Sequence, residues 1–253
     1  MKDSKMAFST WCNEKLQKSL RELLIGGFLA GAYIGFAGQL FTLVTASQEI
    51  PFGIRQLLGG LVFSVGLVMV VLGRGELFTG NCLLFNSCLG EQKRITTVLY
   101  NWAIVYGGNF LGALFLALLY RLSGLSQGGE GVIAQRMLSI AQGKVTLFFL
   151  QGFVRGVLCN WLVCLAVFLA ILAENPVEKI LVIPGPITTF VALGYEHSVA
   201  NMYFLAAGIF EGGGSGITWG KALLGNLLPV TLGNIVGGSI LVGMLYHAMS
   251  TRK

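Results

Sequence analysis

Glu76 followed five residues later by Asn81, and Glu196 followed five residues later by Asn201, lie 120 residues apart inside stretches otherwise apolar enough for lipid. A carboxylate at bilayer depth costs about 3 kcal/mol on the gentlest scales, so it persists only where it faces protein or water, typically on a solute path. The second copy also carries His197, which the first lacks. Imidazole titrates near neutrality and can hold or pass a proton beside a small acid. Two chemistries follow: hydrogen-bonded support of an interrupted helix, expected of Glu76, Asn81, Glu196 and Asn201, and proton exchange, expected of His197.

Both pairs sit where a hydrophobic run is interrupted. One run is apolar to Leu72 and then meets Gly73-Arg74-Gly75-Glu76-Leu77-Phe78-Thr79-Gly80-Asn81 before hydrophobicity resumes at Cys82; another is broken at Gly194-Tyr195-Glu196-His197-Ser198-Val199-Ala200-Asn201. Lipid cannot satisfy freed amides and carbonyls, so non-helical backbone at this depth is tolerated only inside protein or along a cavity. The breaks are expected to border a conduit.

The chain of 253 residues is 55% hydrophobic and only 11% charged, with a mean hydropathy of +0.75, a composition that excludes an ordinary soluble domain. Runs of spanning length occur at 23–46, 56–73, 96–120, 145–173, 179–194 continuing past its break to 210, and 223–248. The expected fold is an all-α membrane protein with six spans, the second and fifth broken.

Residues 1–22 form a basic, cytoplasmic segment, either an amphipathic helix on the bilayer surface or a frayed tail, and no cleaved signal is expected. Two duplicated landmarks, Gly27-Phe28-x-x-Gly31 with Gly152-Phe153-x-x-Gly156 and Gly108-Asn109-x-x-Gly112 with Gly233-Asn234-x-x-Gly237, recur at an offset of 125 and divide the rest into repeats at 23–125 and 145–250. An extracytoplasmic connection at 126–144 joins them, and 251–253 is a cytoplasmic tail. Three spans per repeat force the second repeat to lie inverted relative to the first. The glycines are read as sites of close helix approach.

Basic residues set the orientation. With the N-terminus inside, the cytoplasmic side collects ten, the five of the first segment with Lys93, Arg94, Lys179, Arg252 and Lys253; the other side has Arg55, Arg121, Arg136, Lys144 and Lys221. Both termini are expected in the cytoplasm, at the inner membrane, and this bias accounts for the net charge of +6 without nucleic acid. In that topology the half-helices after the two breaks aim their N-termini at each other near the midplane, where free amides and dipoles favour an anion. Cys12, Cys82, Cys88, Cys159 and Cys164 show no Cys-x-x-Cys spacing and read as small apolar side chains; no metal and no cofactor are expected.

Gly75-Glu76-Leu77-Phe78-Thr79-Gly80, Cys159-Asn160-Trp161-Leu162-Val163-Cys164-Leu165-Ala166 and Gly194-Tyr195-Glu196-His197-Ser198-Val199-Ala200-Asn201-Met202 resemble the signatures of the formate/nitrite transporter family over nearly the whole chain. The resemblance implies an aquaporin-like fold assembled as a homopentamer of independent pores in lipid. The solutes would be formate, nitrite or hydrosulfide. It further implies an inner constriction at Leu67, Leu77 and Phe78 and an outer one at Phe63 and Phe190, with His197 between them, Thr79 and Asn160 beside the histidine, and Lys144 drawing anions into a vestibule. Arg74 and Arg155 depart from the family pattern, where small and apolar residues stand.

A bare anion pays heavily to cross two apolar rings, whereas a weak acid does not. One reading therefore has the anion drawn in by Lys144, protonated by way of His197, and passed on as the acid. In the competing reading His197 stays neutral and the charged anion is conducted. A proton-coupled carrier for larger acids such as lactate is a further alternative. An integral membrane enzyme using His197 and Glu196 fits poorly, since there are two histidines, no His-Glu-x-x-His and no phosphate-binding glycine loop.

Overall fold

The computed structural model describes residues 2–47, 49–89, 94–212 and 216–251; Lys93, Arg252 and Lys253, counted for orientation, lie outside these, as does most of the expected tail. All regular structure among the described residues is helical. A first helix, α1 (Lys2–Leu16), leads to α2 (Leu20–Ala46) and α3 (Phe52–Leu72). After the first break comes a single turn, α4 (Phe78–Asn81), continued by a 3-10 segment Cys82–Cys88, and then α5 (Ile95–Leu122). The connection contains α6 (Val132–Val145) and is followed by α7 (Phe149–Leu172). Two short helices, α8 (Pro176–Val182) and α9 (Pro184–Ala192), precede the second break, and α10 (Ser198–Phe210) follows it. The last rod joins a π-helical stretch Lys221–Leu227, α11 (Leu228–Val236), a second π stretch Gly237–Met244 and α12 (Leu245–Thr251).

Five of these rods are long and apolar enough to cross a membrane: Leu20–Ala46, Phe52–Leu72, Ile95–Leu122, Phe149–Leu172 and Lys221–Met249. Exposed leucines and phenylalanines line their outer faces, as lipid-facing helices require. The run expected as a fifth broken span is instead divided among α8, α9 and α10.

Backbone contact holds the rods in pairs. A methyl group at Gly31 would collide with the Asn109 carbonyl oxygen, and one at Gly112 with that of Phe28, so α2 and α5 touch main chain to main chain. The same contact joins α7 to α11. In it Gly27, facing Val105 O and Gly108, corresponds to Gly156, facing Val230 O and Gly233. The α2-to-α7 offset is therefore 129 rather than 125, while α5 and α11 keep 125. Glycines spaced by one helical turn match each other again after a one-turn slip, which is why sequence alone paired Gly27 with Gly152.

Three elements differ from expectation for stated physical reasons. The segment expected as a surface helix or a frayed tail is, among its described residues, no frayed tail: α1 docks on α7 through Phe8 and Phe168, 5.6 Å between ring centres, and α2 begins at a capping box in which Ser19 Oγ accepts from Glu22 N while Ser19 N donates to the Glu22 carboxylate. The half-helix after the first break is one α-turn that tightens to 3-10 geometry, not a full rod. The final rod widens to π geometry just before Pro229, whose ring would collide with the carbonyl four residues earlier in a regular helix.

Candidate functional site

The two breaks are built alike. After α3 the chain turns through Arg74 in the left-handed region, φ 55°, and after α9 through Gly194, φ 72°. Glu76 N then donates to Gly26 O at 3.0 Å, and Glu196 N donates to Arg155 O at 3.3 Å. Leu77 and His197 follow with nearly the same extended backbone, φ −108° in both.

One asparagine closes each break. Asn109 Oδ1 accepts from Phe78 N, while its Nδ2 donates to Gly27 O and Glu76 O. Asn234 Oδ1 accepts from Ser198 N, while its Nδ2 donates to Gly156 O and Glu196 O. These residues belong to the duplicated Gly-Asn-x-x-Gly motif, but only its glycines were given a role from sequence; an amide side chain in a lipid-length run was the signal available. His197 Nδ1 accepts from Ala200 N at 3.1 Å. Three amides expected to be free for an anion are thus already taken by side chains.

The glutamates pair with lysines, not with Arg74 or Arg155. Fully buried Glu76 accepts from Lys15 Nζ at 2.9 Å, Lys18 Nζ at 2.6 Å and Asn81 Nδ2 at 2.9 Å. Glu196 accepts from Lys144 Nζ at 3.0 and 3.1 Å and from Asn201 Nδ2 at 2.6 Å. A further asparagine completes each set. Asn81 donates to Asn101, which donates to the carbonyl of Lys15; Asn201 donates to Asn226, which donates to the carbonyl of Lys144. Asn101 and Asn226 were not singled out by sequence reasoning, nor were Lys15 and Lys18 as partners of Glu76. Lys144, placed in the connection by sequence, stands in the last turn of α6 with its side chain 14% exposed.

A cavity of about 320 Å³ opens on the α6 side. Its walls include Lys144, Arg136, Arg155, Glu196, Asn201, Phe63, Phe190 and His197. At its floor Phe63 and Phe190 meet edge to face, 6.1 Å apart, and the Phe190 ring stacks on His197 at 5.9 Å. Leu67, Leu77 and Phe78 are buried but do not line this cavity; Phe78 packs edge-on against Tyr106 and Trp102 of α5.

His197 reaches across to the first half: its Nε2 lies 3.0 Å from Thr79 Oγ1. Because Nδ1 accepts the Ala200 amide, the ring proton sits on Nε2 and donates to the threonine, leaving the hydroxyl proton free to point elsewhere. Asn160 sits beneath, donating to the carbonyls of Thr79 and Asn234. Among the described residues no group of His, Cys, Asp and Glu could hold a metal ion.

Residues 5–248 match the family model described as formate/nitrite transporter. The chain belongs to the formate/nitrite transporter family. Membership makes it a multi-pass membrane transporter or channel and not an enzyme. A probable formate transporter of Methanothermobacter thermautotrophicus is 43% identical, over 96% of this chain and 94% of its own. The formate channel FocA of Haemophilus influenzae is 37% identical, over 89% and 86%. Among solved structures, a pentameric formate channel with formate bound superposes with a TM-score of 0.82 at 32% identity, covering 92% of this chain and 98% of its own. An FNT family ion channel superposes with a TM-score of 0.88 at 29% identity, covering 100% of both.

Proposed function

We propose that the chain is a channel for formate, working as a homopentamer in the cytoplasmic membrane with one pore per protomer and both termini inside. The carrying observation is His197 and Thr79, one from each break, hydrogen-bonded at 3.0 Å behind the Phe63–Phe190 pair at the floor of the α6-side cavity. Relatives named for formate support the substrate, and the pentameric formate channel supports the assembly. The paired hydrogen-bond sets at the two breaks support two inverted repeats of three spans each in an aquaporin-like arrangement, with α8, α9 and α10 together making the fifth span. The basic bias of the N-terminal segment supports its cytoplasmic side, which puts α6, Lys144 and the cavity outside.

Formate enters the cavity near the Lys144–Glu196 pair and meets the aromatic floor, where a bare charge is costly. It takes a proton from the outer aqueous medium and crosses as the weak acid. Leu67, Leu77 and Phe78 would form the inner apolar ring, and Thr79 would present its hydroxyl proton to the carboxylate while His197 holds the threonine in place. The reading in which His197 itself hands over the proton requires that Nδ1 first take one, at the expense of its bond to the Ala200 amide. A neutral, orienting histidine therefore fits the geometry better.

Proteoliposome flux tests both parts. Labelled formate should enter with alkalinisation of the outer medium, and no formate flux at all would sink the substrate assignment in favour of nitrite or hydrosulfide. His197→Gln replaces both ring nitrogens by an acceptor and a donor that carry no exchangeable charge. Coupled uptake should survive in it; loss of coupling alone would return the proton to His197.

A further inference from the structure

Three cations line the α6-side cavity, and they are not equivalent. Lys144 is held by both oxygens of Glu196, so its charge is compensated where it stands. Arg136 and Arg155 belong to none of the ion pairs found among the described residues. Arg136 donates through Nε only to the neutral hydroxyl of Thr45, at 3.0 Å. Arg155 is exposed on α7 and uses its main chain, through its carbonyl, to hold the second break. Among the described residues Glu196 is the sole acid on the cavity wall. The uncompensated positive charge of this mouth therefore resides on two guanidinium groups.

The first break shows that Arg155 is not required for building a break. The position that corresponds to it is Gly26, whose carbonyl performs the same service for Glu76 N and where even a methyl group would meet Glu76 Cγ at 2.9 Å. The second half carries there a long planar cation facing the cavity. A guanidinium fork matches two oxygens in one plane and binds them in parallel, which a round ion cannot exploit.

We propose that Arg155, assisted by Arg136, is the capture and selectivity residue of this mouth: it takes planar two-oxygen monoanions, carboxylate or nitrite, in preference to hydrosulfide before they reach Phe63 and Phe190. This rests on the channel reading above and deepens it. Long-range attraction from the two charges raises entry rates, and the fork adds the discrimination.

The test uses the full-length pentamer in proteoliposomes, with formate, nitrite and hydrosulfide flux measured below saturation for wild type, Arg155→Gln, Arg155→Lys and Arg136→Gln. Arg155→Gln should lower formate and nitrite flux about tenfold in tens of millimolar salt and much less in about 0.5 M salt, where screening shortens the reach of charge. Arg155→Lys should pass hydrosulfide at the wild-type rate and formate at a rate between those of wild type and Arg155→Gln. Arg136→Gln should lower all three anions, two- to threefold, in a salt-dependent way. If both Arg155 variants pass every anion at wild-type rates, the proposal is overturned. Equal restoration of all three anions by lysine overturns the fork, and a loss indifferent to salt makes Arg155 structural. A wild-type channel that carries neither formate nor nitrite overturns the substrate reading itself, a different result from a formate channel indifferent to Arg155.

Discussion

The first break is clamped from a helix that precedes every span, the second from a helix lying between the two halves. Lys15 and Lys18 reach Glu76 from α1 and the turn after it, whereas Lys144 reaches Glu196 from the last turn of α6. The inner parts agree: an asparagine closing the broken backbone, a second asparagine, and a lysine carbonyl accepting its amide. What differs is the residue at the shared extended position, leucine in one half and histidine in the other. One scaffold thus serves twice, and the imidazole stands on a single side of it.

Separate perturbation of the two clamps has the largest expected effects. Glu76→Gln leaves two ammonium groups against a neutral amide, and Glu196→Gln leaves one; removing one partner of a buried pair costs about 3 kcal/mol. Thermal unfolding in detergent should show both losses. Limited proteolysis should cut α1 faster only in Glu76→Gln, and equal protection of α1 in both variants would show that the two clamps are not separate. Next come the closing asparagines. Asn109→Ala and Asn234→Ala each strip an acceptor and two donors from buried backbone, about 2 kcal/mol apiece, and a large inequality between them would contradict the likeness of the breaks.

Arg74 provides a smaller test, because its left-handed backbone costs a non-glycine residue about 1 kcal/mol. Arg74→Gly should raise the unfolding temperature and Gly194→Arg should lower it, with formate flux as the control for function. The smallest effect concerns Cys12 on α1, whose thiol burial pushes up to about 12. In a variant retaining only this cysteine, maleimide labelling at neutral pH should be slow, since little thiolate is present. Glu76→Gln should speed it several-fold by loosening α1.

Much of the architecture was legible because lipid is an unforgiving solvent: apolar runs of spanning length and two charged interruptions leave few alternatives. The one-turn slip between Gly27 and Gly156 was not legible, since helix periodicity makes neighbouring glycines interchangeable on paper. The partners of Glu76 were hidden for another reason. Lysines 58 and 61 residues away reach it on long stems, and only the packing of α1 brings them there. Asn101, Asn109, Asn226 and Asn234 were readable in principle, because an amide side chain in a lipid-facing run needs partners. The 3-10 segment and the π stretches follow from tertiary fit and from Pro229, which periodicity does not register.

The position of α1 has a mechanical corollary. It is not among the five rods long and apolar enough to span, and it meets the rest of the molecule through side chains and the Lys15 carbonyl, so its attachment is a binding equilibrium made strong by a short leash to α2. A chain lacking its first eighteen residues should still insert, and the excised stretch, supplied as a free peptide, should reoccupy its seat at no more than about millimolar dose, the local abundance that such a leash ordinarily provides.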